Sequence, residues 1–290
     1  MVMKIYEQNN NLILQNVCDF DLRQTFDCGQ CFRWDKCDDG YIGIAYGKAL
    51  KISQSGNTVT LFDTKKTDWD NIWREYFDIE RDYGAIKTTL STDKIMQETV
   101  SFGSGIRILN QEPFECLISF IISASNNIPR IKKIINALCI NFGEKITYLG
   151  EDFYTFPSAM RISKLSLEEL SVIKAGFRDK YILSAAKAVA NGQIDLGCLK
   201  RASSDYAKSE LLKLPGVGNK VAECVLLFSL EKYSSFPVDV WIKRIMEHCF
   251  FGGEQTKEAV SALAQDKFGE LGGFAQQYLF YWARENKIGI

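Results

Sequence analysis

Leu211–Arg244 reads LLKLPGVGNKVAECVLLFSLEKYSSFPVDVWIKR, and this stretch decides how the rest of the chain is read. An apolar helix ends here in a turn through Pro215, Gly216, Val217 and Gly218. Asn219 is a good helix cap, and Lys220 to Leu230 reads as a second helix with Val221, Val225 and Phe228 apolar. A loop ending at Pro237 follows, and Asp239 stands where a third helix, from Val240 to about Phe250, needs its cap. Two glycines between helices let a phosphate approach the backbone closely, and the free N–H groups of a helix start favour an anion.

The whole chain sets bounds on what that stretch can serve. With 290 residues, 46% apolar and 24% charged, it has the balance of an ordinary soluble globular protein with room for a large core. No apolar run approaches the roughly 20 residues of a membrane span, and the N-terminus lacks a signal-peptide pattern. Nine cysteines without regular spacing predict free thiols in a reducing intracellular compartment and not a disulfide framework. The formal net charge of −1 argues against a protein held to nucleic acid by overall charge, so any cationic DNA surface must be local.

Outward from the central stretch, the two ends of the chain differ in pattern. Asn11–Val17, Gln30–Asp35, Tyr41–Tyr46, Ala49–Ser53 and Thr58–Phe62 predict a small antiparallel sheet. Thr67 is expected to cap a helix whose Trp69, Ile72, Trp73, Tyr76 and Phe77 lie across that sheet. From about Asp82 the pattern is helical nearly to the end. Glu112–Ala124 reads as a buried central helix, Ser125-Asn126-Asn127 as a turn, and Ile128–Phe142 as a helix stopped by Gly143. Further helices are expected over Leu165–Lys174, Lys180–Asn191, Asp205–Leu214, Lys257–Phe268 and Phe274–Glu285. The fold class is therefore α+β. An N-terminal antiparallel sheet region, residues 1–105, packs on a mainly helical core, residues 106–290.

Lys220 falls in the first turn of its helix, where the macrodipole and apolar walls both disfavour an ammonium and favour the neutral amine a nucleophile needs. Cys224, one turn on, shares its helix face. A lone helix-start lysine is more often a solvated charge, and Asp239 alone is a helix cap stabilising by typically ~1 kcal/mol. The capping reading and a catalytic one are compatible, because capping N–H groups hold a carboxylate ionised and fixed in direction.

The segment Pro215–Val225 with Pro237-Val238-Asp239 resembles the helix-hairpin-helix of the 8-oxoguanine DNA glycosylase family. The resemblance extends to Cys28–Trp34 (CGQCFRW), Gln111–Leu117 (QEPFECL), Asn126–Ile131 (NNIPRI), Gly176–Tyr181 (GFRDKY) and Phe274–Phe280 (FAQQYLF), in the family's order. It implies a bifunctional enzyme that flips 8-oxoguanine out of duplex DNA. Lys220 would attack C1′ and form a Schiff base, and Asp239 would stabilise the charge developing on the sugar. The Gly29 carbonyl would accept the N7–H that distinguishes the lesion, Gln276 would read the Watson–Crick edge, and Phe280 and Cys224 would sandwich the ring. Asn126, Asn127, Arg130, Phe177 and Arg178 would fill the gap and meet the orphaned partner base. Gly216 and Gly218 would hold a phosphate, with a cation on the carbonyls of Leu212, Leu214 and Val217. A monomer needing no cofactor is the corresponding expectation.

Four positions depart from the pattern of eukaryotic members. Ser125 replaces an asparagine and Phe177 a tyrosine, while Trp241 stands for a phosphate-contacting histidine and Ala283 for its aspartate partner. The changes at 125 and 177 predict relaxed discrimination of the base opposite the lesion. No four-cysteine run follows Cys249, which excludes the iron–sulfur cluster of related glycosylases. Cys28, Cys31 and Cys37 lack the further ligands a zinc site requires. Two other classes compete: a monofunctional alkyl-base glycosylase, which has no need of Lys220, and a non-catalytic DNA-binding module, which needs neither Lys220 nor Asp239.

Overall fold

The computed structural model describes residues 2–288. Within them, β1 (Lys4–Gln8), β2 (Asn11–Gln15), β3 (Trp34–Cys37), β4 (Gly40–Ala45), β5 (Lys48–Ser55) and β6 (Thr58–Leu61) form one sheet in the order β1-β2-β6-β5-β4-β3. Every pairing is antiparallel, and the register sets Leu12 opposite Leu61, Leu61 opposite Ile52, and Ile52 opposite Tyr41. Alternation therefore buries one face. The helical turn over residues 66–76 lays Trp69, Trp73, Tyr76 and Phe77 on it, where Trp34 is stacked against Phe26 at 4.2 Å and donates to Tyr76 Oη at 2.7 Å.

Three local expectations fail here. Thr67 does not cap its helix, which begins at Lys66 behind Lys65 with no side-chain cap. The predicted strand Gln30–Asp35 shrinks to β3, because Gln30 turns inward and spends its side chain on backbone groups. The sheet also begins one strand earlier than expected, with β1, which pairs with β2 through Asn9 and Asn10, both at positive φ.

The helical part is built around α1 (Pro113–Ser123), α2 (Ile128–Phe142), α3 (Asp179–Ala190), α4 (Asn219–Ser229), α5 (Val240–Met246) and α6 (Gly272–Glu285). Proline at N1 and the Glu112 carboxylate, which accepts from Phe114 N and Glu115 N, start α1. Its residues from Cys116 to Ile122 are all buried, as an apolar run demands. Gly143 follows α2 in extended backbone, and only glycine fits there, since a Cβ would stand 2.0 Å from Thr155 O. An unforeseen hairpin of β7 (Lys145–Tyr148) and β8 (Glu151–Tyr154) interrupts the helices, and Tyr148 Oη bridges it to the sheet by donating to Phe62 O and accepting from Lys51 N. The helix expected over Leu165–Lys174 is a short turn, Leu167–Leu170, followed by a 3-10 turn at Ser171–Ile173. The helices Tyr83–Leu90 and Lys94–Phe102 precede residue 105 in the chain, yet they pack into the helical core and not onto the sheet. No helix among the described residues is long and apolar enough to cross a membrane.

Candidate active site

The turn between the helix Ser204–Leu211 and α4 is closed by Val217 N donating to Leu214 O at 3.0 Å. Gly216 has φ +84, and a Cβ on it would stand 2.5 Å from Cγ of Tyr181, so only glycine fits. Asn219 is not the cap of α4. Gly218 occupies that position with extended φ and ψ and no side chain to offer, leaving the first N–H groups of α4 without a side-chain acceptor.

Lys220, half-buried in the first turn of α4, donates to Ser123 Oγ at 3.3 Å at the end of α1. Its Nζ lies 4.9 Å from the centroid of the Phe120 ring. That ring is itself held by Phe228 of α4 (stacked, 5.5 Å) and Phe32 (edge-on, 5.6 Å). Asp239 caps α5, Oδ1 accepting from Ile242 N at 2.8 Å. Among the described residues no ion pair joins Lys220 to Asp239. Burial pushes the Cys224 thiol up to about 11, the Lys220 amine pulls against that, and the Asp239 carboxylate adds to it. Cys224, one turn after Lys220 on α4, is thus a buried neutral thiol.

Gly29, at φ +89, brings the Cys28–Trp34 segment against α6. A Cβ there would stand 3.3 Å from Phe280 Cε1. Two glutamines hold this segment. Gln30 Nε2 donates to Thr25 O and Arg107 O, its Oε1 accepts from Leu109 N, and its carbonyl accepts from Gln111 Nε2. Gln111 N in turn donates to Phe228 O of α4 at 2.8 Å, so Gly29 and Lys220 are tied to one framework. Gln276, one turn before Phe280, is buried and accepts from Gln277 Nε2 at 2.7 Å. Cys28 and Cys31 are buried thiols donating to Thr25 O and Phe26 O, and burial raises both well above the usual thiol range.

The turn after α1 has Ser125 at φ +50, with Asn126 donating to Ile122 O and Asn127 capping α2. Arg130 is exposed on the first turn of α2, and Phe177 is the most exposed of these aromatics at 59%. Phe177 meets Tyr181 edge-on, and Tyr181 packs on Gly216, which joins this surface to the hairpin. Lys180 lies 5.1 Å over the Tyr181 ring, adding a local cation. Trp241, 42% exposed in the first turn of α5, has the Arg244 guanidinium 5.4 Å over its ring. Ala283 is buried.

The resemblance implies that Arg178 meets the orphaned base, which would need an exposed guanidinium. Instead it is 3% exposed, and its guanidinium donates to Ala124 O, Ser125 O and Ala175 O. Two of those carbonyls, of Ala124 and Ser125, follow directly on α1, and the third is in Arg178's own turn, so Arg178 staples the two segments together and does not face solvent.

The chain's sequence and fold match known proteins along most of their length. The family model for the 8-oxoguanine DNA glycosylase N-terminal domain matches residues 12–117, and that of the HhH-GPD superfamily of base excision DNA repair proteins matches residues 118–270. The chain belongs to the 8-oxoguanine DNA glycosylase family. A probable N-glycosylase/DNA lyase of Methanothermobacter thermautotrophicus is 34% identical over 232 residues, 73% of this chain and 72% of that one. The structure of MBOgg1 in complex with a low-affinity DNA ligand superposes with a TM-score of 0.97 at 44% identity, covering 99% of this chain and 100% of that one. The Clostridium acetobutylicum 8-oxoguanine glycosylase/lyase, in complex with DNA containing cytosine opposite 8-oxoG, gives 0.95 at 43% identity, covering 98% and 99%.

Within this family frame, sequence reasoning missed Ser123, Phe120, Tyr181, Gln30 and Gln111 as residues that build the site. Ser123 left one signal, a small polar residue at the last turn of an otherwise apolar helix. Gln30 and Gln111 left another, uncharged amides inside runs that become buried.

Proposed function

We propose that Lys220 is the nucleophile and Asp239 the electrostatic partner of a base-excision DNA glycosylase and abasic-site lyase acting on 8-oxoguanine in duplex DNA. The observation that carries this reading is the placement of Lys220 in the first turn of α4, directly after the glycine turn and over the Phe120 ring, together with Asp239 held by Ile242 N at the start of α5. The lesion is extruded from the stack so that its C1′ can reach the amine. Neutral Nζ adds to C1′ as the C1′–N9 bond breaks; the base leaves with the bonding electrons and takes up the proton that the amine gives up. Opening of the C1′–O4′ bond gives a Schiff base. Loss of a C2′ proton and of the 3′ phosphate then nicks the strand, and water hydrolyses the imine to free Lys220. Asp239 stabilises positive charge at the sugar without needing to move, because Ile242 N fixes its direction.

Gly29, Gln276, Phe280 and Cys224 form the proposed base pocket. The N7–H of 8-oxoguanine meets the Gly29 carbonyl, while guanine would present an acceptor there and leave both groups unpaired, at ~1–3 kcal/mol. Gly216, Gly218 and the start of α4 take the phosphate, and Trp241 and Arg244 a neighbouring stretch of backbone. A carbonyl has two lone pairs, so Leu214 O, engaged by Val217 N, keeps one for a cation shared with Leu212 and Val217. Asn127, Arg130 and Phe177 meet the orphaned base, with Ser125 shaping the turn. With Arg178 engaged internally, fewer donors face that base, which supports relaxed opposite-base discrimination.

The test is to incubate the protein with an 8-oxoguanine duplex and analyse both products. Free 8-oxoguanine together with a β-eliminated strand end is expected. Release of alkylated bases with intact abasic strands would overturn the reading.

A further inference from the structure

We propose that Ser123 is a positioning residue for the Lys220 amine: it holds one N–H of the nucleophile while leaving the nitrogen lone pair unspent. A serine hydroxyl has one proton and two lone pairs. The Ser123 proton is already placed, because Oγ donates to Phe120 O at 2.8 Å, one turn back in α1. Toward Lys220, 3.3 Å away, Oγ can therefore only accept. The alternative arrangement, a hydroxyl donating to the amine, would occupy the lone pair that must attack C1′.

The support beneath this contact is stiff. Phe120 supplies both the carbonyl that orients Ser123 and the ring under Nζ, and it is clamped between Phe228 and Phe32. A lysine has four rotatable side-chain bonds, so an untethered amine samples many positions. Tethering one N–H to a fixed oxygen confines Nζ between α1 and α4. Asp239 does not supply that tether, since among the described residues it makes no ion pair with Lys220. The inference rests on Lys220 being the nucleophile.

The experiment compares Ser123→Ala and Ser123→Thr with the unmodified enzyme. Two rates are measured under single turnover: excision of 8-oxoguanine, and formation of the borohydride-trapped adduct on duplex carrying a preformed abasic site. Dissociation constants for the lesion duplex and thermal midpoints are measured alongside. In Ser123→Ala both rates should fall roughly five- to tenfold, the effect of one lost hydrogen bond, with affinity within twofold. Ser123→Thr keeps the hydroxyl and should restore both rates to within twofold. Unchanged rates in Ser123→Ala would overturn the proposal, and so would a loss matched in affinity and thermal midpoint, or a folded Ser123→Thr as slow as alanine. An adduct mapping to a residue other than Lys220 ends the nucleophile assignment itself. An adduct on Lys220 formed at full rate in Ser123→Ala ends only the role of Ser123.

Discussion

Gly218→Ser should raise stability and weaken DNA binding in the same molecule. Gly218 occupies the cap of α4 with φ −98 and ψ −179, a conformation open to any residue. A Cβ added there meets nothing within 4 Å. The fold therefore does not require glycine at this position, and a serine hydroxyl would accept from the first N–H groups of α4. Serine in place of glycine at a cap stabilises by a few tenths of a kcal/mol, or a rise in thermal midpoint of about 1 °C for a chain of this size. Those N–H groups are the ones assigned to a DNA phosphate. Losing one charge-assisted hydrogen bond costs ~1.5–3 kcal/mol, so affinity should fall at least about tenfold. Phosphate contacts carry no base information, and lesion and undamaged duplexes should lose affinity by the same factor. Fluorescence anisotropy at fixed salt, with a thermal melt of the same sample, reads both quantities. Gly216→Ala is the contrasting control: positive φ and the Tyr181 ring together should cost ~2–4 kcal/mol of stability. Undiminished affinity in Gly218→Ser, or a loss confined to the lesion duplex, would refute the phosphate assignment.

Two further outcomes follow from buried charge and from the turn after α1. Arg33 pairs with Glu115 at 3.3 Å with both side chains nearly buried, and burial raises Glu115 to about 7 although Arg33 pulls it down. A raised carboxyl favours the fold at low pH, and that contribution is lost as pH rises through 7. Removing the cation raises the folded value further, so Arg33→Gln should cost ~1 kcal/mol at pH 5.5 and ~3 kcal/mol at pH 8 in denaturant melts; a pH-independent loss would contradict this. Opposite the lesion, single-turnover excision should favour cytosine only moderately over T, G and A. Ser125→Asn and Phe177→Tyr should each widen the preference by ~1 kcal/mol, and strict cytosine dependence in the unmodified enzyme would refute the idea. Asparagine should be tolerated at 125, whose φ of +50 suits it.

The long helices and the buried sheet face were legible because periodicity and apolar runs reach the core directly. Ile128–Phe142 and Lys257–Phe268 match residue for residue, and Asp239 is the cap expected of it. What the sequence hid were features decided by tertiary partners. The β7–β8 hairpin turns at Leu149-Gly150, where leucine at φ +51 is not a turn signal. Asn219 has the chemistry of a cap, yet the turn closed by Val217 and Leu214 places Gly218 there one residue earlier. Arg178 sits in a segment that reads as exposed, but three carbonyls at the end of α1 and beside it draw its guanidinium inside. The pairing of Lys220 with Ser123 joins residues 97 positions apart, and no local pattern encodes it.

The nucleophile assignment is tested most directly by borohydride trapping with Lys220→Gln on an 8-oxoguanine duplex. Glutamine keeps much of the side-chain length beside Phe120 and Ser123 but has no amine to form an imine. The variant should bind the lesion duplex with affinity close to that of the unmodified enzyme, yield no covalent adduct, and leave the strand intact. A borohydride-trapped adduct at undiminished yield would place the Schiff base on another residue and contradict the account.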